Sequence, residues 1–403
     1  MRVLEVCPDF PPWAGSGAAE TFRLLARSWG EMGHEVTVVC SRPSSRAGDP
    51  PAGAPYRVEC FRLFDLPPSL YEASYFAPMR GGDRRRFHDF IRREAPSYDR
   101  IIVQGLLETV PRSFLLRCRS VPPDRLISLQ YGISTAEYSR VLGVASRWLH
   151  KTLGRWLVSR LRTVVVFSSG SVPELREYFG ALTGTNVVQR TLGIDTVAFG
   201  KEWASVAPPS FAMAPWLEGR SIRPPFIFAI GRNNRAKGFD LLVKSFIPLA
   251  KEFPSLSLVL AGERTPLTQE LESSVHAAGL DSRVRILGRI PSQDHMALLA
   301  ACTVFAIPSR KEGFGLNAVH AKILGRPTVA TSTGAHVEIL GNERPFWIVP
   351  PGDVPRLTDA LREALHTTPT PLSADPRQLA RFDIRVLAEE LLRPPPLGPR
   401  PDR

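Results

Sequence analysis

Short apolar runs alternate with stretches of helical periodicity along nearly the whole chain. Because short runs suit strands and a helix returns the chain to the same sheet edge, the alternation predicts βα units and mainly parallel sheets. A first helix is predicted at 18–32, ending at Gly33, a residue suited to the position after a helix. The predicted strands are 3–7, 35–40, 56–63, 100–104, 126–130, 163–167, 186–190, 226–231, 257–261, 284–287, 303–307, 327–331 and 346–349.

The length of 403 residues exceeds what one ordinary core accommodates, so two domains are expected. We assign residues 1–199 to the first domain and 225–375 to the second, joined by a proline-bearing linker at 200–224. A helix at 376–392 follows, and the proline-rich tail at 393–403 has the composition of a disordered segment.

The composition, with 43% hydrophobic and 22% charged residues, is that of a globular protein. The chain contains no stretch of eighteen apolar residues, so no transmembrane helix is predicted. The first residues resemble a strand rather than a signal peptide. The five cysteines are scattered without a C-x-x-C motif, which favours a reducing cytoplasm and argues against zinc.

The net charge of +12 comes from 44 Arg and seven Lys against 39 acidic residues. Such a balance suits phosphate-bearing substrates or anionic lipid, and an ordinary arginine-rich surface would produce it equally well. No nucleic-acid-binding module is recognisable, so no nucleic-acid partner is predicted.

A glycine-bearing junction, PSRKEGFGL at 308–316, leads from a predicted strand into a predicted helix at 316–324. The start of a helix offers free N–H groups and a positive dipole end, which suit an anion or a polar ligand. Glu312 adds a carboxylate that can accept hydrogen bonds from sugar hydroxyls, and Gly313 and Gly315 permit close approach to the backbone. An ordinary strand-to-helix turn carries the same features, so these residues alone leave both interpretations open.

Two further glycine-bearing segments also follow predicted strands. GRNNRAKGFD at 231–240 brings Arg232 and Lys237 to the strand end, where ligands bind in open α/β sheets; solvated loop cations are the alternative. PPWAGSGAAE at 11–20 supplies a tight turn with exposed N–H groups. Because Glu20 replaces the last glycine of G-x-G-x-x-G, a dinucleotide cofactor is disfavoured.

These segments, in this order, resemble those of retaining GT-B glycosyltransferases of the GT4 group. The resemblance implies an α/β GT-B fold, with two Rossmann-like domains whose parallel sheets face an interdomain cleft. It also implies that the helix at 376–392 crosses back onto the N-terminal domain. It implies metal-independent transfer of a sugar with retention, from a nucleotide-sugar to a glycan, lipid-linked or small-molecule acceptor, as in polysaccharide biosynthesis. The nucleotide-sugar is a co-substrate, no cofactor or metal is implied, and no D-x-D motif occurs.

The resemblance assigns roles on the donor side. The family's donor-sugar loop opens an E-x7-E motif, and its G-R-x-x-x-x-K-G segment carries the cations that stabilise charge on the leaving diphosphate. The catalytic residues implied are Glu312, Arg232 and Lys237. The donor-binding residues implied are Gly15, Ser16, Gly17, Arg232, Lys237, Gly313, Phe314, Gly315, Leu316 and His320.

Two positions depart from the family pattern. The second Glu of E-x7-E, which binds the ribose in the family, is His320 here; a neutral imidazole offers one donor and one acceptor. Gln130 stands where the family often has His near the reacting carbon, and with Glu20 it is assigned to the acceptor side. A nucleotide-sugar epimerase or phosphorylase on the same fold, or a catalytically silent homologue binding nucleotide or glycan, remain alternatives.

Two basic segments contain aromatic residues, at 80–93 and 147–162. Basic amphipathic segments can lie on anionic membranes, and many relatives modify lipid-linked acceptors at the cytoplasmic face, so peripheral membrane contact from the cytoplasm is one hypothesis. The alternative is a packed helix with a solvated face, in which Trp148 and Trp156, eight residues apart, form a buried stripe.

Overall fold

The computed structural model describes residues 1–13, 17–46, 48–49, 52–65, 77–131, 148–180, 182, 184–206, 219, 222–367 and 372–393. The chain divides into two compact units. The first contains residues 1–194 and the chain from Asp383 onwards, and the second runs from Asp195 to Phe382.

The first unit is built on a seven-stranded sheet in the order β3-β2-β1-β4-β5-β6-β7, with every neighbouring pair parallel. Its strands are β1 Arg2–Val6, β2 Glu35–Pro43, β3 Arg57–Leu63, β4 Arg100–Gln104, β5 Leu126–Gln130, β6 Thr163–Val166 and β7 Asn186–Gln189. Its helices are α1 Gly17–Glu31, α2 Gly81–Arg93, α3 Thr109–Arg117, α4 Arg155–Val158, α5 Ser171–Phe179 and the final helix of the chain, Ile384–Leu392.

The second unit repeats the arrangement with a six-stranded parallel sheet in the order β10-β9-β8-β11-β12-β13. Its strands are β8 Phe226–Ile230, β9 Ser257–Ala261, β10 Val284–Leu287, β11 Val304–Ile307, β12 Thr328–Thr331 and β13 Phe346–Val349. Its helices are α6 Thr196–Val206, α7 Phe239–Glu252, α8 Pro266–Ala277, α9 Ser292–Ala301, α10 Leu316–Leu324, α11 His336–Leu340, α12 Val354–Leu365 and α13 Pro376–Arg381. The final helix of the chain, Ile384–Leu392, which belongs to the first unit, is α14.

Both sheets carry near-continuous apolar strands because helices cover them. Strands β4 and β5 are buried along their whole length, as expected where both faces of a parallel sheet are packed. Helix α1 presents Phe22, Leu25 and Trp29 to the core, a spacing of three and four residues that places them on one helix face. All thirteen predicted strands and the helix at 316–324 are confirmed.

The structure places the unit boundaries differently from the sequence prediction. Helix α6 occupies the first residues of the predicted linker and belongs to the second unit, which begins at Asp195 rather than at 225. The predicted single helix at 376–392 is two helices, because Asp383 adopts an extended backbone and its carboxylate accepts the N–H of Arg385 as a new N-cap. The tail from 394 lies outside the described residues.

Helix α14 completes the first unit. The indole N–H of Trp29 donates to the carbonyl of Ala388 at 2.9 Å, and the N–H of Ile384 donates to the carbonyl of Ile194 at 3.0 Å. The approach is close enough to require glycine at 193, since a Cβ there would lie 2.6 Å from the backbone of Ile384. The last helix therefore belongs to the core of the unit that begins the chain.

A carboxyl group is fully buried in the first sheet. Glu5 on β1 accepts a hydrogen bond from Gln104 Nε2 at 2.8 Å, while Glu5 Oε2 and Gln104 Oε1 have no hydrogen-bond partner. Burial raises the pKa of Glu5 well above its ordinary value, although the bond from Gln104 opposes the shift. The folded state therefore favours the protonated form of Glu5.

We expect Glu5→Gln to stabilise the protein, by more at pH 8 than at pH 5. Above the ordinary carboxyl pKa the unfolded chain releases the Glu5 proton while the folded chain keeps it, so wild-type stability falls as pH rises. The fall reaches at most about 1.4 kcal/mol per pH unit, until the raised pKa is passed. Urea unfolding at both pH values measures the difference, with exposed Glu35→Gln as the control. An equal gain at both pH values would contradict the assignment.

Candidate active site

Backbone segments approach one another closely at the carboxyl edge of the second sheet. Gly238 has φ +68°, and a Cβ there would lie 2.1 Å from the carbonyl oxygen of Pro308. Gly262 has φ +137°, and its Cβ would lie 1.8 Å from the carbonyl oxygen of Gly231. Only glycine fits at both positions, so the loops that follow β8, β9 and β11 form one continuous surface.

Lys237 and Glu312 meet on this surface. Lys237 Nζ lies 2.6 Å from Glu312 Oε1, and the Ser309 hydroxyl donates to the same oxygen at 2.8 Å. Burial alone would raise the pKa of Glu312, but the Lys237 ammonium, His336 and the Ser309 hydroxyl together lower it below its ordinary value. The site thus holds an ionised carboxylate beside an ammonium group.

A second ion pair ties the same two loops together. Arg310 donates to both carboxylate oxygens of Asp240, at 2.7 Å each, and its Nη1 donates to the carbonyl of Arg235 at 2.9 Å. The bidentate geometry is the strong form of this interaction. No role was predicted for Arg310 and Asp240 from the sequence, where the available signal was only opposite charge in two loops that each follow a predicted strand.

The start of helix α10 faces this surface without a side-chain cap. Its N-cap residue, Gly315, has φ +109°, and no side chain accepts a hydrogen bond from the first turn. Asn317 Nδ2 donates to the carbonyl of Ile230 at 3.1 Å, which holds the first turn against β8. Phe314 is buried, and its carbonyl accepts the N–H of Ala335 at 2.9 Å. Predicted donor residues 313–316 therefore surround an open helix N-terminus.

His336 lies behind this turn, and no role was predicted for it from the sequence. It is fully buried, and its Nδ1–H donates to the carbonyl of Thr331 at 2.8 Å. That bond leaves Nε2 as a lone pair without a partner. A Cβ at Gly315 would lie 2.5 Å from His336 Cδ2. The ring therefore leaves no room for a side chain at residue 315. The signal missed in the sequence was His336 itself, a histidine shortly after the predicted strand 327–331.

His320 occupies the predicted ribose position on α10. Its ring lies 5.3 Å from that of Phe199 and 5.4 Å from that of His295 between centroids, and Nδ1 has no hydrogen-bond partner. Burial, and then the neighbouring His295, lower the pKa of His320 to about 3. The imidazole is therefore neutral near pH 7 and adds no cation to the site.

The remaining predicted residues are spread over both units. Arg232 Nε lies 3.6 Å from Glu263 Oε2, so the guanidinium faces a carboxylate. Gln130 ends β5, is nearly buried, and donates to the Ser128 hydroxyl at 2.7 Å. Gly17 and Glu20 lie in the first turn of α1, where Glu20 pairs with Arg23. Gly15 and Ser16 lie outside the described residues.

Neither a metal-binding cluster nor a membrane-spanning helix occurs among the described residues. No group of three or more His, Cys, Asp or Glu side chains among them is arranged to hold a metal ion. No helix formed by these residues is both long and apolar enough to cross a membrane.

Comparison with known proteins gives matches over both units. Residues 218–381 match the family model described as Glycosyl transferases group 1. The lipopolysaccharide core biosynthesis mannosyltransferase LpcC of Rhizobium leguminosarum bv. viciae is 29% identical over 227 residues, which cover 54% of this chain and 58% of LpcC. Glycogen synthase of Mycobacterium tuberculosis is 24% identical over 376 residues, 91% of this chain and 86% of that protein. The aligned part thus spans little more than half of the mannosyltransferase.

Solved structures resemble almost the whole chain. Sucrose-phosphate synthase from Thermosynechococcus elongatus has a TM-score of 0.70 at 18% identity and covers 97% of this chain and 94% of its own. Anabaena HepE in complex with UDP-glucose has a TM-score of 0.66 at 18% identity, covering 97% and 98%. With the two parallel sheets, these neighbours define a GT-B fold. Residues 218–381, whose described positions lie in the second unit, carry the similarity to the glycosyl transferases group 1 family.

Proposed function

We propose that the protein transfers a sugar from a nucleotide-sugar donor to a glycan, lipid-linked or small-molecule acceptor. The transfer proceeds with retention and without a metal. The observation that carries the proposal is the contact of Lys237 with Glu312 beside the uncapped start of α10. An ammonium group, a carboxylate and free backbone N–H groups meet the needs of a phosphate leaving group and of sugar hydroxyls.

The chemistry follows from where charge develops. As the sugar leaves, negative charge grows on the diphosphate oxygen, and the Lys237 ammonium and the Arg232 guanidinium stabilise it there. The Glu312 carboxylate and the amides at 313–316 position the sugar through its hydroxyls. In this proposal no side chain acts as a strong base, since the leaving phosphate accepts the acceptor proton.

A donor panel tests the proposal. UDP-, GDP- and ADP-sugars are incubated with and without candidate acceptors in EDTA, and products are identified by mass spectrometry. Acceptor-dependent release of nucleoside diphosphate, with product of unchanged anomeric configuration, is expected. UDP-glucose heads the panel because HepE is described with it. Nucleotide binding without sugar transfer would instead favour a catalytically silent homologue. His320 and Gln130, the two departures from the family pattern, support that alternative.

We expect His320→Ala to raise the donor KM several-fold with a smaller effect on kcat. A neutral ring supplies one donor and one acceptor to the ribose, and such contacts are similar in the ground and transition states. His320→Glu restores the family residue and is expected to keep or improve donor affinity. His276→Ala, on an exposed histidine of α8, is the control. An unchanged donor KM in folded His320→Ala would contradict ribose contact.

Peripheral membrane contact is proposed at the second basic segment rather than the first. Trp148 and Trp156 are exposed over 67% and 42% of their surface, so the predicted buried stripe is wrong for this pair. Arg160 lies over the Trp156 ring at 5.1 Å. In α2, by contrast, Phe87 and Phe90 are buried in the core, and the exposed face carries arginines together with Asp89. Exposed indoles beside cations suit an anionic bilayer interface.

Co-sedimentation with vesicles of phosphatidylglycerol and phosphatidylcholine tests this contact. Binding is expected to weaken with salt, because exposed charges are screened beyond about 8 Å at physiological ionic strength. Trp148→Ala with Trp156→Ala should release the protein, whereas replacing Arg84 and Arg85 of α2 should have less effect. Equal binding by the tryptophan variant would exclude this surface.

A further inference from the structure

Three neighbouring strands of the second sheet end in the same local pattern. Strands β8, β9 and β10 are each followed by a glycine and then a charged residue: Gly231-Arg232, Gly262-Glu263 and Gly288-Arg289. The backbone stays paired through the glycines, since Gly231 N–H donates to the carbonyl of Ala261 at 3.0 Å and Gly262 N–H to that of Gly288 at 3.1 Å. The three charged side chains therefore project next to one another from the carboxyl edge of the sheet. We call Arg232, Glu263 and Arg289 the charged row.

One carboxylate serves two arginines in the charged row. Glu263 Oε2 lies 3.6 Å from Arg232 Nε and 3.3 Å from Arg289 Nη2. Because both guanidinium groups approach the same oxygen, they are near enough to contact one diphosphate together. One negative charge cannot balance both arginines, so the row carries a net positive charge.

Three other cations of this edge have carboxylates of their own. Lys237 pairs with Glu312, Arg310 with Asp240, and Arg264 with Glu272. The Glu263 pairs are also partly exposed to solvent, with Arg232 at 37%, Glu263 at 38% and Arg289 at 66%. Exposed ion pairs are weak. Arg232 and Arg289 can therefore leave Glu263 for a more highly charged ligand at small cost.

We infer that Arg289 and Arg232 together bind the diphosphate of the donor, and that Glu263 is an internal counter-ion which the diphosphate displaces. This assignment rests on the proposed function and adds to it a third cation beyond Arg232 and Lys237. Guanidinium groups bind phosphate oxygens through paired N–H donors, which a single carboxylate oxygen shared by two arginines does not satisfy. A diphosphate offers each arginine its own phosphate.

Calorimetric titration tests the role of Arg289. The ligand is whichever of UDP, GDP and ADP binds the wild-type protein most tightly, compared with its nucleoside. Arg289→Ala should weaken diphosphate binding roughly ten-fold or more and flatten its salt dependence, while leaving nucleoside binding unchanged. Arg264→Ala, one residue beyond Glu263 and paired with Glu272, is the matched control and should change binding less than two-fold. Unchanged diphosphate binding by Arg289→Ala, or equal weakening of the nucleoside, overturns the assignment.

Glu263→Gln tests displacement separately. The amide keeps the size of the side chain and removes the charge that competes with phosphate, so diphosphate binding should become several-fold tighter. Weaker binding would show that Glu263 supports the arginines rather than occupying them, and would overturn the counter-ion role. These titrations need no turnover. Absence of sugar transfer together with the expected binding changes would refute the proposed function and leave only the assignment of Arg289 and Glu263 to a nucleoside diphosphate site.

Discussion

Lys237→Ala is expected to lower kcat by about 10²–10³-fold, because it removes a fixed cation from the point where leaving-group charge develops. The donor KM should change less, since the diphosphate is already charged in the ground state and Arg232 remains. The separation of the two effects is the signature of a contact that strengthens in the transition state. Steady-state kinetics with the donor found by the panel measures both constants.

The fold of this variant needs its own check, because Lys237 is also the partner of a nearly buried carboxylate. Without the ammonium, burial favours a protonated Glu312, and the lost pair costs some stability. Circular dichroism and thermal unfolding at the assay temperature establish that the variant is folded. Lys244→Ala, an exposed lysine of α7, is the control for loss of charge. Near wild-type kcat in folded Lys237→Ala would remove Lys237 from the catalytic assignment.

Much of the fold follows from local pattern in the sequence. Strands buried on both faces appear as uninterrupted apolar runs, such as 226–230 and 304–307, and helices begin and end at glycines, such as those flanking α10. These signals need no knowledge of distant residues. The loops that carry Lys237 and Glu312 were predicted for the same reason, since each follows a recognisable strand.

What sequence reasoning missed depends on contacts between distant positions. Arg310 and Asp240 are seventy residues apart and meet only because β11 and β8 are neighbours in the sheet. Cys40 and Cys60, which appear scattered in the sequence, face each other in register on β2 and β3. The return of α14 to the first unit was expected only from the family resemblance, not from any local pattern. No local pattern contains such pairings.

His320 shows how a motif position and its environment supply different information. Counting from Glu312 located the residue on α10, and the structure has it there. The spacing could not show that His295 and Phe199 pack against the ring. Those neighbours keep it neutral, so it differs from the family's carboxylate in charge as well as in shape.

Gly315→Ala is expected to lower kcat about 10²-fold, because displacements near 1 Å in a positioning loop can cost that much. The new methyl group would lie 2.5 Å from the His336 ring, which is fully buried and fixed by its bond to Thr331. The backbone at φ +109° is also strained for any residue but glycine. The loop carrying Glu312 must therefore move away from the sugar.

Two further variants separate the clash from the backbone strain. Gly279→Ala has φ +66° and nothing within 4 Å of the new methyl group, so it should lower stability by about 1–2 kcal/mol without altering kcat. His336→Ala removes the ring, and combined with Gly315→Ala it should recover a large part of the lost turnover, a coupling that a double-mutant cycle measures. If the double variant is no faster than Gly315→Ala alone, backbone strain rather than His336 determines the identity of residue 315.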